Sequence, residues 1–185
     1  MKKGFTLIDL LIVVGILSIV SVATVMVINP VQLFAQARDG TRVSDLNALK
    51  SAITIYMGLI RGGSLGDCLE GGTVTADPSV DMINDGIFSE DPALISDDQN
   101  IDGTGWIDID FNQVPTGAPF SILPIDPKND DTYFYGYACN DTDKYFELIA
   151  NMESDRYASS GPSDIESTDG GDRLGLFETG NKLDL

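Results

Sequence analysis

The sequence predicts an α+β fold in which a long N-terminal helix, apolar in its first half, packs on a small antiparallel β-sheet. Three observations support this. Leu10–Ile28 is a run of 19 residues without a charge. Apolar residues between positions 46 and 60 then recur every three or four residues, as on one face of a helix. Residues 132–138 and 145–150 are rich in aromatic and branched side chains and flank a short polar loop, as in a hairpin.

The apolar run is long enough to cross a membrane. At ~1.5 Å rise per residue, a helix of this length extends roughly 28 Å, close to the ~30 Å hydrocarbon thickness of a bilayer. Lys2 and Lys3 lie on its short side. Because basic residues stay in the cytoplasm, we expect the N-terminus inside and the rest of the chain exported.

Three interpretations of this segment compete. It is a cleaved signal peptide, for which residues 21–23 (SVA) offer a small-x-small cleavage site, or a plain membrane anchor. Neither of these explains Asp9, an ionisable residue at the start of the apolar run, and the third interpretation, which does, comes from the residues around it. A carboxylate costs at least ~2.5 kcal/mol at the bilayer centre and less near its edge, so its presence calls for a functional explanation.

Residues 4–13 (GFTLIDLLIV), after a short basic leader, resemble the class III signal of type IV pilins and type II secretion pseudopilins. The resemblance implies a pilin-like fold and cleavage by a prepilin peptidase between Gly4 and Phe5. It also implies that Phe5 becomes the N-methylated first residue of the mature protein. The apolar segment then stays on the mature chain.

Asp9 stands where the family usually has glutamate. The resemblance implies that this carboxylate meets the N-terminal amine of a neighbouring subunit and sets the register of assembly. Two such charges attract by about 4 kcal/mol at about 4 Å in an effective dielectric near 20, and desolvation removes part of this. Aspartate keeps the charge but is one methylene shorter, which makes a minor or tip-located subunit more plausible.

The function implied by the resemblance is that of a structural filament subunit and not an enzyme. Its partners are further copies of itself, the prepilin peptidase and an inner-membrane assembly platform. Before assembly it is a single-pass protein of the inner membrane, and afterwards it forms part of a periplasmic or extracellular filament. Pilus and secretion pseudopilus both remain open. The alternative is a secreted or membrane-anchored acidic domain that binds calcium or another ligand.

The chain divides into five predicted segments. They are a leader (1–4), a filament-core helix (5–29), the amphipathic second half of the helix (30–61), a variable loop region (62–105), and a β-sheet head with a C-terminal tail (106–185). A break in the helix is expected at Asn29, because Pro30 disfavours helical geometry in the residue before it.

Further short segments have the alternation typical of strands. Residues 106–111 (WIDIDF) alternate apolar and acidic side chains, and residues 120–123 form a second candidate strand. Residues 123–127 (LPIDP) resemble the Leu-Pro-x-Asp-Pro entry to the sheet of pseudopilin-like domains. In the helix, Arg42 is three residues from both Asp39 and Asp45, a spacing that predicts ion pairs on the helix surface. A solvated face and a contact between subunits both remain open for them.

Composition excludes several kinds of function. Residues 1–61 carry a net charge of +3, whereas residues 62–185 carry five basic and 26 acidic side chains, a net of −21. A domain with this much negative charge repels phosphate backbones, and we therefore expect no direct binding of nucleic acid. The chain contains no histidine, which excludes Ser-His-Asp and Cys-His catalysis.

Two cysteines and two acidic clusters complete the candidate sites. Outside the cytoplasm, where the resemblance places the head, Cys68 and Cys139 are expected to form a disulfide. Residues 98–103 (DQNIDG) match the start of a calcium loop, although its twelfth position is Ile109. The second cluster is Asp164, Glu166, Asp169 and Asp172 around Gly170, and the resemblance implies calcium there, because some major pseudopilins bind it late in the domain. Calcium is the one cofactor that the sequence suggests, and the candidate ligands are Asp98, Asn100, Asp102, Asp108, Asp169 and Asp172.

Overall fold

The computed structural model describes residues 4–66, 98–130 and 132–185, the side chains of 26–28 excepted. Two helices come first, and a 3₁₀ turn and a three-stranded sheet follow, so the predicted α+β class is confirmed. The elements are α1 (Leu7–Ile28), α2 (Pro30–Leu59), the 3₁₀ turn Phe111–Gln113, β1 (Tyr135–Asn140), β2 (Tyr145–Ala150) and β3 (Phe177–Gly180).

The predicted break between the helices lies at Asn29. This residue adopts a left-handed conformation with φ 46° and ψ 78°, and Pro30 is the first residue of α2. A proline is tolerated there because the first residues of a helix lack intrahelical partners for their N–H groups. One residue therefore separates an exposed apolar helix from a helix that carries the folded head.

One face of α2 forms the base of the core. Leu46, Leu49, Ile53 and Tyr56 are buried in a single apolar cluster, and Ile60 packs against it partly exposed. The predicted apolar stripe of the helix is thus confirmed. Across from it lie apolar side chains of the loop region and the sheet, among them Trp106, Ile107, Ile109, Phe111, Leu123, Tyr137, Phe146 and Leu148.

The sheet is antiparallel in the order β1-β2-β3. Phe146 and Leu148 point towards α2, and Lys50 of α2 donates a hydrogen bond to Thr179 of β3 at 3.3 Å. Residues directly opposite each other share a face, and Ile149 lies opposite Glu178. Side chains alternate along a strand, so Glu147 lies with Ile149 and Glu178 on the sheet face away from α2. We call this surface the back face.

Several strand predictions were wrong in detail. The hairpin exists, but its first strand is Tyr135–Asn140 instead of 132–138, and β3 was not predicted. Residues 106–111 and 120–123 form no strand. The apolar side chains of 106–111 are buried as predicted, but the backbone bonds to a loop: Trp106 N–H donates to the Asp98 carbonyl and Phe111 N–H to that of Ile101, both at 2.8 Å.

Candidate functional site

The N-terminus of α1 carries a reciprocal cap built by the predicted signal residues. Thr6 is the N-cap, and its hydroxyl accepts a hydrogen bond from Asp9 N–H at 3.3 Å. The Asp9 carboxylate in turn accepts from the Thr6 N–H at 3.0 Å and from its hydroxyl at 2.7 Å. This capping box satisfies backbone donors that have no partner inside the helix. Asp9 therefore has a local role in addition to the predicted assembly role.

Gly4 and Phe5 precede this cap in extended chain. Phe5 is 79% exposed, and a side chain added at Gly4 would meet no atom within 4 Å. The peptide bond between the two residues is therefore open to another protein. This geometry is compatible with the predicted cleavage and does not test it.

Helix α1 is exposed to its surroundings over the part whose side chains the structure describes. Every side chain from Phe5 to Val25 is exposed. Within the described residues, one helix is long and apolar enough to cross a membrane, over Leu7–Val25 with a mean hydropathy of 2.6. An exposed apolar helix of this length is typical of a membrane-spanning segment or of a signal sequence.

The polar side chains of α1 are satisfied within the helix itself. The hydroxyls of Ser18, Ser21 and Thr24 each donate to the carbonyl four residues earlier, at 2.7 to 2.8 Å. Hydroxyls bonded in this way can enter an apolar medium without an unpaired donor. From Leu7 to Val25 the helix thus presents a surface suited to lipid or to another apolar helix.

The apolar exposed surface continues past the break into α2. Val31 is 69% exposed, Leu33 49% and Phe34 66%, whereas Ala35 begins the buried stripe of the head. The exposed region is therefore longer than the membrane-spanning segment alone. We call Phe5–Phe34 the rod.

A buried ion network fixes α2 to the head. Arg42 is fully buried and donates to Asp126 through Nε at 2.6 Å and through Nη2 at 2.9 Å, and to Asp39 through Nη1 at 2.7 Å. Asp45 instead accepts from the Tyr135 hydroxyl at 2.9 Å. The predicted Arg42–Asp45 pair is thus wrong, and the Asp39–Arg42 pair is inside the subunit and not on its surface. A solvated face and a subunit contact are both excluded for Arg42 and Asp39.

The network also holds the segment after β2. Asp39 accepts from the backbone N–H groups of Glu153 at 2.8 Å and Ser154 at 2.9 Å. Arg38 binds the Glu153 carboxylate through two nitrogens, at 2.6 and 2.7 Å. Helix α2 is thus connected to residues far along the chain by charge-assisted hydrogen bonds, about twice as strong as neutral ones.

We expect the contribution of Glu153 to the stability of the fold to depend on pH. The hydrogen bond from Arg38 lowers the pKa of the Glu153 carboxyl from its usual value of 4.5. A lowered pKa stabilises the fold above the unfolded pKa, and this stability is lost as the pH falls through the folded pKa. Glu153→Gln should therefore reduce the free energy of unfolding by about 1 kcal/mol at pH 7 and by much less near pH 3.

Urea unfolding at the two pH values measures this difference. Asp155→Asn, at an exposed position two residues further on, is the control and should match the wild type at both pH values. A deficit of Glu153→Gln that is equal at pH 7 and pH 3 would contradict the prediction.

The predicted calcium loop uses its carboxylates for its own turns. Asp98 accepts from Asn100 N–H at 3.0 Å, and Asp102 accepts from the N–H and the hydroxyl of Thr104 at 3.1 and 2.6 Å. The Thr104 hydroxyl bond lowers the pKa of Asp102. Asp108 is exposed. The described residues bring none of these carboxylates into a three-ligand group, and calcium binding by the loop stays a prediction.

In the described parts of the chain, the acidic groups that do converge lie on the back face. One carboxylate oxygen from each of Glu147, Asp172 and Glu178 lies within 4.8 Å of the other two. Of the predicted ligands, only Asp172 belongs to this acidic trio. Asp169 lies beside it and accepts from the N–H groups of Gly171 and Glu178 at 3.0 and 2.6 Å.

Glu147 and Glu178 were not predicted from the sequence. Glu147 interrupts an apolar strand, YFELIA, and strand alternation places such a residue on a solvated face. It is nevertheless fully buried, because the C-terminal segment covers the back face: Leu185 N–H donates to Glu147 at 3.2 Å and Arg173 N–H to Glu178 at 2.9 Å.

Cys139 is fully buried in β1 and disulfide-bonded. Cys68, the second cysteine of the sequence, lies outside the described residues. The pairing of Cys68 with Cys139 stays a prediction.

No protein-family model, curated protein or solved structure matches this chain. Its function has therefore to follow from its own residues.

Proposed function

We propose that this protein is a structural subunit of a type IV pilus-like or type II secretion filament. It is processed by a prepilin peptidase between Gly4 and Phe5 and assembles through its rod. In this role the chain is first inserted in the inner membrane, with its N-terminus in the cytoplasm. Assembly then exchanges lipid around α1 for the rods of neighbouring subunits, and the acidic head faces outward.

The observation that carries the proposal is the complete exposure of Phe5–Val25 on a helix joined, through the single residue Asn29, to the helix at the base of the head. A simple anchor needs only to span the bilayer. Here the exposed apolar surface extends further, to Phe34. An extension of this kind suits packing against other rods.

The pilin-like layout supports the same function. The chain combines a long N-terminal helix, apolar in its first half, with a three-stranded antiparallel sheet packed on the second half. Added to the GFTLID signal at residues 4–9, this layout favours filament assembly over an unrelated membrane anchor. Fold alone does not establish function, so the processing site is the decisive test.

The test is the intact mass of the mature chain from cells that carry the prepilin peptidase. We expect a chain that begins at methylated Phe5. Gly4→Val places a branched side chain at the cleavage point without disturbing the fold, because the space around Gly4 is open, and should leave the unprocessed precursor.

Ala23→Leu is the matched control, since it blocks the small-x-small site of an ordinary signal peptidase and should leave processing unchanged. A mature chain that begins at Thr24, or normal processing in cells without the prepilin peptidase, would contradict the proposal.

A second candidate function is a membrane-anchored acidic domain that binds a cation. The acidic trio on the back face is the observation that favours it. The two functions are compatible, because the rod and the trio belong to different parts of the molecule.

A further inference from the structure

A groove opens where the break between the two helices meets the loop after β2. Its volume is about 430 Å³, within the ~300–1,000 Å³ that is usual for small-molecule sites. One wall is the start of α2, and the other is the segment 155–163 of the head. Most of the side chains that line it are polar, namely Asn29, Gln32, Gln36, Asp155, Arg156 and Ser163.

The groove lies at the level of the outer lipid headgroups when α1 spans a bilayer. The membrane-spanning candidate extends to Val25, and Asn29 follows four residues later. At ~1.5 Å rise per residue, Asn29 is ~6 Å beyond the edge of the hydrocarbon. The two headgroup layers add about 10–15 Å to the ~30 Å hydrocarbon core, so each is about 5–8 Å thick. The groove is therefore within reach of headgroups.

Two charged side chains of opposite sign meet in the groove without pairing. Arg156 donates through Nε to the Ser163 hydroxyl at 3.2 Å, and its guanidinium carbon lies 5.5 Å from the centre of the Tyr157 ring. In the parts of the chain that the structure describes, the terminal nitrogens of Arg156 and the carboxylate of Asp155 have no hydrogen bond or ion pair. A guanidinium held in this way keeps two donors for a phosphate, which arginine can bind through two oxygens at once.

Side-chain amides add neutral hydrogen-bonding groups. Gln32 Oε1 accepts from Asp155 N–H at 3.1 Å, which holds the loop against the helix. The Asn29 side chain does not cap α2, and that of Gln36 makes no hydrogen bond to any described residue. Each amide has two N–H donors and an acceptor. They suit a phosphodiester, which accepts several hydrogen bonds and carries a single negative charge.

We propose that this groove binds the headgroup of phosphatidylethanolamine, with the phosphate on Arg156 and the ammonium group on Asp155. A short ethylene link separates the two charges of this headgroup, which matches one base and one acid on adjacent residues. Residues 62–185 carry a net charge of −21, so a lipid with a net negative charge is repelled. A zwitterionic headgroup has no net charge and avoids this repulsion.

This lipid site rests on the membrane insertion that the proposed function includes, and it does not require filament assembly. Its two walls belong to α2 and to the head loop, so a bound lipid holds the head in one orientation on the membrane surface. Assembly then has to release the lipid as the subunit leaves the membrane.

Native mass spectrometry of the full chain tests the site, with release from micelles that contain equal amounts of phosphatidylethanolamine, phosphatidylglycerol and phosphatidylcholine. We expect phosphatidylethanolamine to be retained at least about fivefold more often than either other lipid. Phosphatidylcholine has the same charges, but its methylated ammonium donates no hydrogen bond to Asp155. Equal retention of the three lipids overturns the site, and a preference for phosphatidylglycerol overturns the zwitterionic headgroup.

Exposed positions supply the variants and the control. Arg156→Gln should reduce retention of phosphatidylethanolamine by a similar factor, and Asp155→Asn should remove the preference over phosphatidylcholine. Arg61→Gln makes the same change beyond the other end of α2 and should retain lipid like the wild type. Wild-type retention in Arg156→Gln would contradict the proposal.

Two further measurements separate the source of the phosphate and the proposed function. Soluble glycerophosphoethanolamine should compete only weakly, because it lacks the acyl chains that keep a lipid beside the groove. Competition as strong as that of the lipid assigns the groove to a free phosphate ester and overturns the lipid. The same spectra give the mass of the mature chain, so a chain that begins at Phe5 without a lipid preference contradicts this site alone.

Discussion

Replacement of Arg42 by methionine is expected to reduce the free energy of unfolding by about 3–5 kcal/mol. The guanidinium makes three hydrogen bonds of 2.6 to 2.9 Å, to Asp39 and Asp126, and all three side chains are fully buried. Methionine has a similar length but no charge. Two carboxylates would then remain in the interior without their cation, and urea unfolding of the full chain in detergent measures the loss.

Three further variants separate charge from packing. Arg61→Met makes the same change at an exposed position and should cost no more than about 0.5 kcal/mol. Arg42→Lys keeps the charge but not the planar donor geometry, so an intermediate loss is expected. Arg42→Met combined with Asp126→Asn should be more stable than Arg42→Met alone, because one of the two orphaned charges is removed. A loss below about 1 kcal/mol in Arg42→Met would contradict the role of the network.

Helical spacing contained the signal for this network. The apolar positions 46, 49, 53 and 56 recur every three or four residues, and the same spacing continues backwards through Arg42, Asp39 and Ala35, all of them buried. The two charged positions were predicted to lie on the surface, because charged side chains are rarely fully buried unless paired. The partner that makes burial possible, Asp126, is 84 residues away from Arg42. Local periodicity cannot identify a partner at that distance.

The strand predictions show the same limit. Aromatic and branched residues correctly predicted β2 over Tyr145–Ala150. Residues 106–111 have the same alternation, and their burial follows it, yet their neighbour is the loop at 98–101 and not a strand. The alternation of apolar and polar residues indicates which side chains are buried. A strand also requires a neighbouring strand to which its backbone can bond, and tertiary contacts decide whether one is present.

The back face was unpredictable for a related reason. An acidic residue within a strand is expected on the solvated side, and Glu147 has this pattern. The C-terminal segment makes the back face an interior surface, and it does so through backbone N–H groups, which are common to all residues except proline. These backbone contacts leave no pattern in the sequence of the segment. Helix α1, in contrast, follows from composition alone and was predicted, whereas the exposed apolar extension to Phe34 was not.

Asp9→Ala is expected to reduce filament assembly at least tenfold, if the proposed function holds. In the rod, the Asp9 carboxylate lies at the helix start and faces outward, where a neighbouring N-terminal amine can approach it. A tenfold fall in an association constant corresponds to about 1.4 kcal/mol, less than the attraction between two opposite charges in contact at an effective dielectric near 20. Quantitative imaging of surface filaments, with the amount of subunit in the membrane as reference, measures the effect.

Two variants distinguish this charge from the capping role of Asp9. Thr6→Ala removes the hydroxyl half of the capping box and leaves the carboxylate, at a cost of about 1 kcal/mol to the helix start. Asp9→Asn keeps an oxygen that can cap the helix and removes the charge. If the charge sets the register, Asp9→Asn should fail like Asp9→Ala, and Thr6→Ala should still assemble.

Asp9→Glu completes the comparison, because it restores the longer acid and should assemble at least as well as the wild type. The reverse pattern, with Asp9→Asn normal and Thr6→Ala defective, would show that Asp9 serves only its own helix. The start of the rod would then be fixed by backbone capping, and another contact would have to set the stagger between subunits.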